Sequence, residues 1–432
     1  MAPVVCVPGF LALGEAWEAE RLRERYPSHT FLILSPSPLA SHHDRAVQIF
    51  YALKGGVADY GAEHSKRCSH ARYGRSYAGV YPEWDEAHPV HLLGHSIGGQ
   101  TIRVLQHLLA TGAFPSHKTS ERWVYSVSAL STPFNGDWAP FSLGAQLEGT
   151  AASPLTRIRW GSVGWALTMM AHLLCFVGAS HPDLQLDHWR LSAWEHGAGA
   201  FRRLLCALLW WPGTSVGQSS DNAAYEVCYH NSLALNQKLK LYPTTHYFSF
   251  ISKRETMASA LRASSWLLKL SKLFRVILLN TIALVTRWGS AGKAHAQVLL
   301  ACGLKGGPSS WMEHDGLIAR ATQTHPFGDP HTWLPPRADP AGEQVVLPLH
   351  KPGVWNVQEL EGVDHFNVVS GPLFSNRSAQ DLFWGSYLAR LRELRPADAP
   401  ELQGASTEAK DQRKEIAFHL ETLPRSPDTP RA

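Results

Sequence analysis

The chain has 432 residues, 44% of them hydrophobic and 18% charged, with a formal net charge of +4. That length and composition allow one large α/β domain with insertions or two modest domains, and the mild charge excludes the strong basic footprint of a nucleic-acid binder. Cys6, Cys68, Cys175, Cys206, Cys228 and Cys302 lie far apart with no CxxC pair, which excludes the disulfide framework of a small secreted domain. Cys175 and Cys206 sit in apolar helical runs and read as packed free thiols.

Residues 4–7 (Val4-Val5-Cys6-Val7) read as a buried strand that starts almost at once. No charged start and apolar segment precedes it, so no signal peptide is visible. The expectation is a cytoplasmic protein, or one peripheral to an internal membrane, unless the N-terminus is truncated from a secreted form. Residues 30–34 read as a second strand and 44–53 as a helix opening on Asp44. Residues 59–81 are polar, rich in His and Arg, and fit neither period. Residues 90–93 read as a strand, 100–109 as a helix and 123–130 as another strand. Strands and helices alternating at this spacing predict a mostly parallel sheet covered by helices.

Residues 141–211 are apolar and read as helical, with Trp160, Trp165, Trp189, Trp194, Trp210 and Trp211. They are expected to form an insertion over the sheet. Residues 163–177 are the most apolar run, but they contain His172 and are too short for a clean membrane span, so no transmembrane segment is expected. The basic stretch 269–275 reads as an amphipathic helix, with membrane-surface contact as a lesser reading. Residues 247–252, 345–347 and 354–357 have strand character. One domain is therefore expected over 1–395. The Pro-, Glu-, Lys- and Ser-rich tail 396–432 is expected to be disordered.

Gly94-His95-Ser96-Ile97-Gly98 matches G-x-S-x-G. The pattern alone is common by chance. Here an apolar strand enters it and a helix leaves it, as a nucleophile elbow requires. Small residues two positions either side of Ser96 permit the strained turn, and Gly99 lets the helix approach closely. The helix N-terminus favours an oxyanion, with the Ile97 N–H as a ready donor.

A serine nucleophile needs a base, and the base needs an orienting acid, in the chain order Ser, Asp or Glu, His. His365 follows a late strand and fits the base. Asp364 is poorly placed for the acid, because neighbours in an extended segment point to opposite sides. Asp315, at a turn before Gly316, is the better choice, with Asp137 and Asp329 as weaker rivals.

Further segments carry a resemblance. Asp59-Tyr60-Gly61-Ala62-Glu63-His64 and Ser69-His70-Ala71-Arg72-Tyr73-Gly74-Arg75 resemble the zinc-region signature of the thermophilic Bacillus-type and staphylococcal lipases. The similarity continues in order through Ser96, Leu186-Asp187-His188-Trp189, Leu235-Asn236-Gln237, Tyr247-Phe248-Ser249-Phe250, His314-Asp315-Gly316 and Val363-Asp364-His365. It implies an α/β-hydrolase fold with the triad Ser96, Asp315 and His365. Phe10, in Pro8-Gly9-Phe10, would give the second oxyanion N–H beside that of Ile97. Two positions depart from the family pattern: Pro8 stands for its usual His, and Ile97 for its usual Gln. Both donors are backbone groups, so neither change removes one.

The resemblance also implies a structural zinc site of two carboxylates and two imidazoles. Asp44, His64 and His70 match it directly. Counting back from Leu235 puts Glu226 at the fourth ligand, where the family has Asp, and Asp187 is its rival. Without the resemblance, His64 and His70 read as ordinary surface residues. His42, His43, His188 and Cys68 lie close enough in sequence to be confused with the ligands. Support for calcium is poor, because Asn367 stands where the family has a Glu and no Asp follows near Gly371-Pro372.

The segment 141–177 lies where such lipases carry a lid. Its stripe Leu167, Met169, Met170, Leu173, Leu174 and Phe176 reads equally as core or as a face toward lipid. The expected function is hydrolysis of acylglycerols or related lipid esters, with peripheral contact to a lipid surface. A phospholipase, a galactolipase or a short-chain esterase would keep the same triad. An inactive, zinc-braced lipid-binding scaffold is the non-enzyme alternative.

Overall fold

Strand β1 (Val4–Val7) is buried on both sides because consecutive residues point to opposite faces of the pleat. Val4 and Cys6 enter one apolar layer, Val5 and Val7 the other. A computed structural model describes residues 1–10, 17–137, 139–150, 153–176, 205, 219–253, 313–334, 350–361, 363–367, 369 and 377–394.

In chain order β1 is followed by α1 (Ala19–Arg25), β2 (Phe31–Ile33), α2 (His42–Lys54), β3 (Gly56–Asp59), α3 (Ala62–Cys68) and β4 (Tyr73–Tyr77). Then come β5 (Val90–His95), α4 (Ile97–Ala110), β6 (Val124–Leu130), α5 (Ala139–Ser142), β7 (Ala145–Thr150), β8 (Ser153–Ile158) and α6 (Val163–Phe176). The remainder comprises α7 (Ala223–Glu226), α8 (Tyr229–Lys238), β9 (His246–Lys253), α9 (Arg320–Gln323), β10 (His331–Trp333), β11 (Trp355–Glu361) and α10 (Arg377–Glu393).

Seven strands form one sheet in the order β10-β11-β9-β6-β5-β1-β2, with parallel pairing throughout. Val5 sits in register with Leu32 on one side and Leu92 on the other. Residues of α2 and α4 cover one face, including Ile49, Phe50, Leu105 and Leu109. Trp17, Leu22 of α1 and Phe383, Trp384 and Tyr387 of α10 cover the other. Strands buried on both faces have to read as continuous apolar runs, which is why β1 and β5 stand out in the sequence. The strands after β5 build out to one side of it and the earlier ones to the other. The crevice at the carboxyl end of β5 is therefore the topological switch point where open α/β sheets take ligands.

Two stretches differ from the sequence expectation. Residues 59–81 hold α3 and the strand β4, and β4 pairs antiparallel with β3 across a register shift. Most of both strands is exposed or half-buried, so no apolar alternation marks them. The segment expected to be helical from 141 leaves the end of α5 and forms the hairpin β7–β8 before α6 begins. Gly149 and Pro154 disfavour helix there. No helix of the described residues is long and apolar enough to cross a membrane. Cys6, Cys68 and Cys228 are free thiols. The expected strand 345–347, the stretch 269–275, the tail 396–432, Asp187, His188, Trp189, Trp194, Trp210, Trp211, Cys206, Cys302 and the side chain of Cys175 lie outside the described residues.

Candidate active site and metal cluster

Strand β5 ends at His95 and α4 starts at Ile97, so Ser96 alone makes the turn. Its φ of 54° and ψ of −127° lie where residues with a Cβ seldom sit, at a cost of order 1–3 kcal/mol. The surroundings impose that conformation. The Ser96 N–H donates to the Leu130 carbonyl at 2.8 Å. A Cβ on Gly94 would lie 2.4 Å from Gly98 carbonyl atoms, so only glycine lets strand and helix fold back this closely. A Cβ on Gly9 would lie 2.7 Å from the Ser96 Cβ, which places the Pro8-Gly9-Phe10 loop against the serine. Ile97 opens α4, so its N–H is one of the four that a helix leaves without an internal carbonyl.

The Ser96 Oγ is 3.2 Å from His365 Nε2, and His365 Nδ1 is 2.8 Å from Asp315 Oδ2. All three residues are buried. Asp315 Oδ1 accepts the N–H groups of Leu317 (3.0 Å) and Ile318 (2.8 Å). Its Oδ2 also accepts from Gln323 Nε2 at 3.1 Å. A carboxylate held by this many donors keeps its direction. It therefore fixes the imidazole with Nδ1–H toward Asp315 and the Nε2 lone pair toward the serine.

The backbone of His365 is clamped as well. Its N–H donates to the Asp315 carbonyl at 2.9 Å, and its carbonyl lies 2.8 Å from His95 Nε2. Burial, and then the neighbouring His365, push the His95 pKa well below its ordinary value. The ring is therefore neutral, and its Nε2–H donates to that carbonyl.

The rival carboxylates are used elsewhere. Asp364 Oδ1 accepts the N–H groups of Phe366 and Asn367 in a tight turn. Asp329 faces the Trp355 indole and Arg103, and Asp137 accepts the Ala139 N–H. Sequence reasoning missed Gln323, whose amide spans Asp315 and the Ser252 N–H.

A second cluster lies beside α2. Asp44 Oδ1 is 3.1 Å from His64 Nε2 and 3.8 Å from His70 Nε2. Asp221 Oδ2 is 3.4 Å and 3.2 Å from the same two nitrogens. The four side chains are nearly inaccessible. A tetrahedral ion with bonds of about 2.0–2.1 Å needs ligand separations of roughly 3.3 Å. The donor set and its spacing therefore fit such an ion. His43 and Cys68 stand at the edge of the cluster, each in a donor group spanning no more than 4.8 Å.

Three of the four expected ligands meet here, and Glu226 does not. Its carboxylate accepts the His42 N–H at the start of α2 and reaches no closer than 3.9 Å to an imidazole, that of His42. Asp221 takes the fourth place. Asn222 bridges Ala40, and the Ala223 N–H donates to the Leu39 carbonyl at 3.0 Å, which pins Asp221 beside Asp44. In the catalytic site, Asn367 Oδ1 accepts the Asp364 N–H at 3.1 Å and closes the turn that contains His365.

Comparison with known proteins places this geometry. A family described as "Lipase-like, C-terminal domain" matches residues 20–282. A lipase of Staphylococcus hyicus is 28% identical over 385 residues, covering 83% of this chain and 51% of that protein. Lipase 1 of Staphylococcus aureus (strain MRSA252) is 28% identical over 341 residues, covering 78% and 45%. The chain thus spans about half the length of the curated relatives it matches. The crystal structure of the S. hyicus lipase is similar at a TM-score of 0.64 and 25% identity, covering 91% of this chain and 96% of that one. Lipase 1 from Pelosinus fermentans, at a TM-score of 0.58 and 23% identity over 91% and 99%, shares the fold. Since the family match takes in more than half of the sequence, Ser96 and the four clustered carboxylates and imidazoles included, this chain belongs to the lipase-like family, on an α/β-hydrolase fold.

Proposed function

We propose that the chain is a serine-dependent carboxylic ester hydrolase acting on acylglycerols or related lipid esters. The observation that carries this reading is the buried Asp315–His365–Ser96 hydrogen-bonded chain at the strained turn. His365 Nε2 takes the proton of the Ser96 hydroxyl as Oγ attacks the ester carbonyl. The carbonyl oxygen becomes an oxyanion held by the N–H groups of Phe10 and Ile97. His365 then protonates the departing alcohol, leaving an acyl-serine. Water, deprotonated by the same imidazole, releases the fatty acid and restores Ser96. Asp315 stabilises the imidazolium throughout.

Support for a lipid substrate comes from the entrance to the insertion. Trp160, Val163, Leu167 and Met170 expose large apolar surfaces, while Met169 is buried. Val163, Leu167 and Met170 recur every three or four residues, so they line one face of α6, as a surface that meets lipid would require.

Asp44, His64, His70 and Asp221 would hold zinc. With four protein ligands it would brace α2 against α3, which carries His64, and against the loops carrying His70 and Asp221, with no open position for substrate. Hydrolysis of p-nitrophenyl esters of increasing chain length, wild type beside Ser96→Ala, tests the proposal. Long-chain activity abolished by the substitution is expected. A wild type with no activity on any ester, or a Ser96→Ala protein that keeps it, refutes the reading.

A further inference from the structure

We infer that Arg45 is a positioning residue for the oxyanion hole, its single guanidinium fixing both backbone segments that supply the donors. The inference rests on the hydrolase reading above.

Arg45 lies on α2 and is wholly buried. Its Nη2 donates to the Pro8 carbonyl at 2.5 Å, and its Nη1 to the Ser37 carbonyl at 2.5 Å. Its Nε donates to Thr101 Oγ1 at 3.2 Å, and that hydroxyl donates to the Ile97 carbonyl at 3.1 Å. Pro8 begins the loop that carries Phe10, and Ile97 is the first residue after the serine. One planar fork therefore ties the loop after β1, the loop after β2 and the first turn of α4 into one frame around Ser96.

The chemistry explains why an arginine is needed. A buried carbonyl without a donor costs roughly 1–3 kcal/mol, so some group has to meet Pro8 and Ser37 here. A guanidinium presents its donors in one plane at fixed angles and stays charged when buried, which an ammonium on a flexible stem does not match. An oxyanion hole stabilises charge only if its N–H groups already point at the place where that charge appears. A displacement of about 1 Å at such a site costs on the order of a hundredfold in rate. Freed from Arg45, the Pro8-Gly9 peptide could rotate and carry the following N–H groups away from Ser96. Asp44, the adjacent residue, belongs to the metal cluster, so one turn of α2 faces both sites.

The test compares kcat and KM for a p-nitrophenyl ester with inhibition by an alkylboronic acid. The Ser96 Oγ adds to the boron, its proton passes to His365, and the tetrahedral boronate anion places one of its hydroxyl oxygens in the hole. Arg45→Lys and Thr101→Val are expected to lower kcat at least tenfold and leave KM within about threefold. Boronate affinity should fall by the same factor as kcat. Leu109→Ala, which opens a cavity in the core beneath α4, should lower the melting temperature and leave that ratio unchanged. Should Arg45→Lys fail to fold, Thr101→Val, which keeps the side-chain shape, decides alone. Unchanged kcat, or a fall in kcat with boronate affinity preserved, overturns the inference while the hydrolase reading stands. A wild type without esterase activity overturns both.

Discussion

Asp315→Asn removes a single charge from the centre of the site and leaves its shape almost intact. In the wild type one carboxylate oxygen faces two backbone N–H groups, and the other faces Gln323 Nε2 and His365 Nδ1. An asparagine can keep its oxygen on the two backbone donors. Its NH2 then points at the amide of Gln323 and at His365 Nδ1, so the imidazole has to place its proton on Nε2 and loses the lone pair that deprotonates Ser96. The flipped amide restores the correct tautomer but turns the NH2 onto the N–H groups of Leu317 and Ile318. Two buried donors without acceptors cost roughly 1–3 kcal/mol each, about 2–6 kcal/mol together. At about 1.4 kcal/mol per tenfold, reaching the productive state costs roughly 30-fold to 10⁴-fold in rate. The expected result is a fall of that size in kcat and in the rate of Ser96 labelling by a fluorophosphonate, with the native circular dichroism spectrum retained. Activity within tenfold of wild type would show that Asp315 does not set the tautomer, and the mechanism drawn from this geometry would fail.

Two further outcomes follow from the other buried groups. Asp221→Asn should abolish zinc retained through dialysis, measured by metal analysis, whereas Glu226→Gln should retain it. A chelator should then lower the melting temperature of wild type, since a ligand at a thousandfold excess over Kd contributes about 4 kcal/mol; the reverse pattern of retention would return the fourth ligand to Glu226. Acid stability should be limited by buried neutral histidines. Burial lowers His91 and His325 to about 3 and His230 to about 4. Unfolded histidine takes up its proton near pH 6.5, so below that value the unfolded state binds protons that these folded imidazoles refuse. Their contribution is complete above about pH 6.5 and is lost as pH falls toward 3, at up to about 1.4 kcal/mol per pH unit for each. Urea denaturation at pH 7, 6 and 5 should show this slope, reduced in His91→Gln, and a flat profile would refute it.

The sheet was legible in the sequence wherever burial was two-sided. Residues 4–7 and 90–93 had to be apolar throughout, and both strands lie in the sheet, β5 running on to His95 where the elbow begins. Ser96 was legible for a related reason. The glycine pattern reflects a steric requirement, visible as the 2.4 Å approach that a Cβ on Gly94 would make. The β3–β4 pair was illegible because its residues are largely exposed or half-buried and no apolar face constrains them. The insertion misled for another reason. Its apolar content was read as helix, although composition does not distinguish a helix from the hairpin β7–β8 without attention to Gly149 and Pro154.

Within the sites, the limit falls between residues that react or ligate and residues that hold them. His64 lies in α3 and His70 just past its end, so their spacing survives in the sequence. The fourth position depends on where two distant loops meet. Glu226 and Asp221 stand five residues apart on either side of the Asn222 cap, and nothing local ranks one above the other. The bridge from Asn222 to Ala40 decides it, a long-range contact between backbones. Gln323 and Arg45 are hidden by the same physics. Each reaches backbone groups of other segments, and a peptide carbonyl or N–H offers the same partner whatever side chain it carries. Such bonds fix geometry tightly and leave no pattern in the residues they hold. A sequence therefore shows the reacting groups of a site more readily than the frame that aims them, although at Arg45 that frame is predicted to be worth at least tenfold in kcat.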